Sequence, residues 1–129
     1  MATLTGAEAL ATLRASAVLT LAYVTSTNII DVGKAPEVLL AFNFTVGAST
    51  GFTFYVEQSD DATVWYEQSI YVSGTLKAAI YEVTIDGTAI RTYAVPSTMR
   101  YLRVRAKALT DAGATLLAIK AKQVRAVGA

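Results

Sequence analysis

Polar and apolar side chains alternate one by one along much of the C-terminal two-thirds of the chain. In "GFTFYVEQ" (51–58), Phe52, Phe54 and Val56 fall on one side and Thr53, Tyr55 and Glu57 on the other. In "RYLRVRAKAL" (100–109), Leu102, Val104, Ala106 and Ala108 alternate with Arg103, Arg105 and Lys107. In "TLLAIKAKQV" (115–124), Leu117, Ile119 and Ala121 oppose Lys120 and Lys122. A period of two is the signature of strands with one buried and one wet face. It predicts strands near 17–25, 28–33, 37–46, 52–58, 63–72, 78–85, 88–95, 100–108 and 114–125. Turn-forming clusters separate them, among them "VGASTG" (46–51), "VSGTL" (72–76) and "TDAGA" (110–114). Asp86-Gly87 sits between two alternating runs and predicts a two-residue hairpin, because Gly takes positive φ without a steric cost. Pro96 stops the strand before it.

Many short strands without a βαβ rhythm point to a β-sandwich or barrel, and an all-β, antiparallel β-sandwich over residues 16–129 is the expectation. Residues 1–15 lack alternation. Leu4, Leu10 and Leu13 are poorly spaced for an amphipathic helix. They predict a short N-terminal arm, a mobile or partner-ordered segment being as consistent as a helix, with the three leucines as assembly contacts.

Composition sharpens this picture. The 129-residue chain is 53% hydrophobic and only 16% charged, against about 25% charged in an average domain. A domain of this size cannot bury so much apolar surface alone, so a binding or assembly surface is expected. Net charge is +1, and no basic excess points to nucleic acid. Cysteine and histidine are both absent. That removes disulfides, the usual zinc ligands and the Ser-His and Cys-His nucleophiles. No apolar run reaches the ~18 residues of a membrane span. The first 14 residues hold Glu8 and a single base, Arg14, unlike the basic start of a signal peptide. A soluble protein made in the cytosol is the expectation.

Candidate chemistry is sparse. Ser59-Asp60-Asp61 offers carboxylates for a calcium loop or for glycoside hydrolysis, but no ligand spacing follows and the residues are turn formers. They are read as a turn, with no metal and no cofactor expected. Trp65, Tyr66, Tyr55 and Tyr71 could make an aromatic platform for sugars. On one strand, however, Trp65 and Tyr66 face opposite sides, which suits one core or interface residue and one surface residue. If the last two strands pair, Arg103, Arg105 and Lys107 join Lys120, Lys122 and Arg125 in a basic face. That face would meet phosphate or a neighbouring subunit's acids, and no aromatic residues interleave with it in sequence. A Ser-Lys dyad is not selected by any spacing, and the glycine loops do not match a phosphate-cradling motif. An enzyme is not expected.

Two stretches carry a resemblance: "FTFYVEQSDDATVWYEQ", a strand–turn–strand unit with Trp65, and the late pair "MRYLRVRAKAL" and "ATLLAIKAK". Over about residues 16–125 the chain resembles the jelly-roll-like virion structural proteins of tailed bacteriophages, in particular capsid decoration (cement) proteins. The resemblance implies a homo-oligomer, often a trimer, that binds the major capsid protein on the outer shell and stabilises it. It implies location in the virion and carries no catalytic residues. Leu4, Leu10, Leu13, Trp65, Tyr66, Arg103 and Arg105 are the expected interface residues. A tail or neck protein is a close variant. A carbohydrate-binding β-sandwich module is the alternative of a different class.

Overall fold

The computed structural model describes residues 2–4, 10–84, 89–110 and 115–124. Among them there are strands and no helix: β1 (Ala2–Leu4), β2 (Ala11–Val18), β3 (Val24–Thr25), β4 (Asn28–Asp31), β5 (Glu37–Thr45), β6 (Gly51–Ser59), β7 (Tyr66–Glu67), β8 (Ser69–Val72), β9 (Thr75–Ala78), β10 (Tyr81–Thr84), β11 (Ala89–Pro96), β12 (Tyr101–Ala108) and β13 (Leu116–Val124). One sheet runs β1-β4-β12-β6-β10, with β3 paired to β12 and β7 to β6. The other runs β11-β5-β13-β2, and β8 and β9 form a separate two-stranded hairpin. Apart from the parallel contact of β1 with β4, the pairings are antiparallel. The chain is an all-β antiparallel sandwich.

In β12 and β13 the alternation read from the sequence is the alternation of burial, whereas β6, expected to have a wet face at Thr53, Tyr55 and Glu57, is buried at every position. β12 has Leu102, Val104, Ala106 and Ala108 buried and Tyr101, Arg103, Arg105 and Lys107 partly exposed. Leu117, Ile119 and Ala121 of β13 are likewise buried. The core lies between the sheets and centres on four phenylalanines. Phe42 and Phe44 of β5 meet Phe52 and Phe54 of β6, with ring centroids 4.7–5.5 Å apart across the layers. Each such ring, fully removed from water, contributes roughly 1.5–3 kcal/mol.

Loops at the two ends are tied by buried polar hubs. Ser49 Oγ accepts from the Leu109 and Thr110 amides at 3.1 and 3.2 Å and donates to the Gly51 carbonyl at 2.7 Å. At the other end, Gln58 Oε1 accepts from the Thr98 and Met99 amides at 3.0 and 3.2 Å. Arg100 meets Asp31 at 3.1 Å beside it.

Several expectations change. The segment expected as an arm holds the first part of β2, which is hydrogen-bonded to β13 at the edge of the four-stranded sheet. Leu13 is fully buried in the core. Sheet pairing supplies what the weak helical stripe could not, because a strand needs only one inward residue in two. Beside Leu13, the buried Arg14 donates to the carbonyls of Leu117, Ala17 and Val18 at 3.1–3.3 Å, where the β13–β2 register shifts. Burial pulls its guanidinium pKa down.

The Asp86-Gly87 turn lies outside the described residues. The strands flanking it do not pair with each other: β10 joins β6 and β11 joins β5, in different sheets. The two-residue hairpin is instead at Ser73-Gly74, both in positive φ (50° and 77°), joining Val72 to Thr75. The expected 63–72 strand is split into β7 and β8 around Gln68.

Candidate functional site

The basic row predicted from β12 exists, but its expected companions do not join it. β12 and β13 belong to opposite sheets, so Lys120 and Lys122 are on the other side of the sandwich from Arg103, Arg105 and Lys107. Arg125 lies outside the described residues. Nor is the row bare of aromatics. Arg103 Cζ lies 4.2 Å from the Trp65 ring centroid, Arg105 Cζ 5.6 Å from Tyr55 and Lys107 Nζ 4.9 Å from Tyr23. These rings come from three separate places in the chain, which sequence spacing cannot reveal.

The ladder is paired in part, with Arg105 Nε buried and unbonded. Arg103 Nε donates to Glu57 at 2.8 Å and Arg105 to the Tyr55 hydroxyl at 2.7 Å. Tyr23 packs edge-on against Tyr55 at 4.8 Å and contacts Thr53 Oγ1 at 3.2 Å. This covering explains why β6 is buried along both faces. Burial pushes the Tyr55 phenol pKa up, partly countered by Arg105. The arrangement packs and orders an outer sheet face. It also places a guanidinium on Trp65, where a sugar ring would have to stack.

Ser59-Asp60-Asp61 is a turn. Asp61 Oδ1 accepts from the Thr63 and Val64 amides at 2.9 and 3.0 Å and from Ser59 Oγ at 2.9 Å. Ser59 Oγ in turn accepts from the Ala62 amide at 2.9 Å. The Val64 and Thr63 amides, then Ser59, hold the Asp61 carboxyl below its ordinary pKa. The Ser59 hydroxyl and the Asp61 carboxylate are engaged in shaping the loop, with Ala62 in positive φ (60°).

An apolar exposed region lies on the flank where β10 and β11 form the edges of the two sheets. Tyr81 and Val83 of β10 and Arg91 and Tyr93 of β11 occupy inward positions there. Tyr81 stacks on Phe54 at 4.9 Å and meets Tyr93 at 4.9 Å. Burial, then Tyr93, pushes the Tyr81 phenol pKa up. Between the strands is a groove of about 380 Å³ lined by Phe42, Phe54, Ile80, Tyr81, Val83 and Tyr93, with Glu82, Arg91 and Thr92 also contributing.

The β8–β9 hairpin springs from the same flank. Its root is held by Ala79 N to Gln68 O at 2.8 Å, Gln68 N to Val56 O at 2.9 Å and Gln68 Nε2 to Pro96 O at 3.0 Å. Beyond this root both faces are wet: Ile70, Tyr71, Val72 and Leu76 are exposed, Tyr71 by 75%. The pattern "SIYV-SG-TLKA" carried this hairpin in the sequence, as two runs of four around a Ser-Gly turn.

The expected interface residues are therefore dispersed. Tyr66 and Leu10 are exposed, Leu13 is in the core and Trp65 is half-buried beneath Arg103. Arg103 and Arg105 are partly exposed in the ladder. The Leu4 side chain lies outside the described residues. Among the described residues no helix is long and apolar enough to cross a membrane. No protein-family model and no curated protein matches the chain.

Proposed function

We propose that this is a non-enzymatic structural protein that works through subunit interfaces, as a capsid decoration protein of a tailed bacteriophage. In this reading the sandwich is a jelly roll. Counting β2, β4, β5, β6, β10, β11, β12 and β13 as first to eighth, its sheets order second-seventh-fourth-fifth and sixth-third-eighth-first. The chain assembles as a closed homo-oligomer, a trimer by resemblance, and binds the major capsid protein on the outer shell. The observation that carries the reading is the open flank, where an apolar groove and a projecting apolar hairpin lie together on a low-charge chain. Apolar area of this kind stabilises a contact by roughly 25 cal/mol per Å², before the costs of association. Many copies on a symmetric shell convert small contact energies into resistance to heat and pressure.

The test is to measure the mass of the purified protein in solution by light scattering and to add it to undecorated capsids. An oligomer that binds and raises the temperature at which capsids release their DNA is expected. A monomer that neither binds nor protects them refutes the reading.

A further inference from the structure

We infer that the β8–β9 hairpin of one copy docks into the β10–β11 groove of a second copy, a head-to-tail contact that closes into a ring. The inference rests on the assembly reading above and names the contact. A two-stranded hairpin has marginal stability alone in water. Among the described residues this one has no sheet neighbour, pairs only with itself and leaves its large side chains exposed on both faces. Tyr71 and Leu76 are directly opposite each other in its register and therefore share a face. They are exposed by 75% and 59%. Together they form an apolar knob.

The groove is the matching hole. Its floor is apolar and aromatic, from Phe42 and Phe54 to Tyr81 and Val83. A volume of about 380 Å³ takes one aromatic and one aliphatic side chain. No residue of the hairpin lines the chain's own groove, and Tyr71 and Leu76 stay exposed, so the occupant is another copy. The hairpin holds one formal charge, Lys77, and the groove's own charges, Glu82 and Arg91, are both exposed.

The area is that of a small contact. Tyr71 and Leu76 on one copy, with Ile80 and Tyr93 on the next, are 45–75% exposed. They leave roughly 450–500 Å² of apolar side chain to cover. Interfaces are a little over half apolar, so each contact comes to roughly 800–900 Å², below the standard size, and a ring makes it twice per copy. Knob and hole are different surfaces. In a head-to-tail arrangement each copy uses both surfaces, on two different neighbours, and a closed rotation makes the ring.

The absence of cysteine makes the test clean. Leu76→Cys and Thr92→Cys, both at exposed positions, are made as separate single variants and oxidised alone and mixed. A linked dimer that forms only in the mixture is expected, and a chain with both substitutions should give a ladder that stops at the ring size. Tyr71→Ser/Leu76→Ser should keep the β circular-dichroism spectrum and fall to monomer mass. An oligomeric wild type whose mass is unchanged in the double serine variant, with no mixed cross-link, overturns the docking and leaves the assembly reading standing. A cross-link in Leu76→Cys alone overturns the head-to-tail geometry. A monomeric wild type that still binds capsids overturns the docking, and one that binds nothing overturns both.

Discussion

Gly51→Ala tests how tightly β10 is seated on the sandwich. Gly51 is buried where β6 faces the end of β10, opposite Thr84. A Cβ placed there falls on the Val83 carbonyl oxygen and lies 3.0 Å from Thr84 Cα. These are backbone atoms, so no rotamer change relieves the overlap. The end of β10 must swing away from β6. That sacrifices about two ladder hydrogen bonds, at roughly 1 kcal/mol each. It also exposes part of Val83, at roughly 1 kcal/mol. The smaller entropy of the unfolded alanine chain offsets roughly 0.4–1 kcal/mol. The net expectation is a loss of about 2–3 kcal/mol. At this chain length that corresponds to a Tm lower by roughly 6–15 °C. The assay is urea denaturation followed by circular dichroism, with Ala118→Gly on the opposite sheet as a reference. Because Val83 and Tyr81 wall the groove, amide exchange in β10 should rise in the same variant. A stability within about 0.5 kcal/mol of wild type would refute the close approach and the argument built on it.

Three further outcomes are expected. Leu13→Ala should cost about 2–4 kcal/mol in denaturation midpoint as a core truncation, while Leu10→Ala should stay within about 0.5 kcal/mol; equal small effects would return Leu13 to the surface. Ala62→Gly should stabilise by about 0.5–1 kcal/mol, since its φ of 60° strains any residue with a Cβ by about 1–2 kcal/mol, and a destabilised variant would sink this. Asp61 has a folded pKa below its unfolded one, so its contribution is complete above the ordinary aspartate pKa and is lost as pH falls through the depressed folded value; the wild-type advantage over Asp61→Asn, followed by denaturation midpoints from neutral to acidic pH, should shrink on acidification, and a constant difference would contradict it.

The sequence alone determined the fold class, the inward residues of β6, β12 and β13, and the turn at Ser59-Asp60-Asp61. Those features are local. A period of two states which side chains share a face, and an Asp carboxylate reaching amides two and three residues ahead needs no distant partner. Which strands lie side by side was settled only in three dimensions. Asp86-Gly87 reads as a hairpin by composition, yet β10 and β11 part to different sheets because each finds a long central strand to pair with. Arg103, Arg105 and Lys107 read as a free basic row until Trp65, Tyr55 and Tyr23 arrive over them from distant loops and a neighbouring strand. Leu13 reads as part of a loose arm because one inward leucine is too weak a signal. It is buried because the edge of β13 offers hydrogen bonds that a short helix would have had to make alone. The open flank was legible only as an excess of apolar residues, since composition counts such residues while packing decides which of them the core has no room to cover.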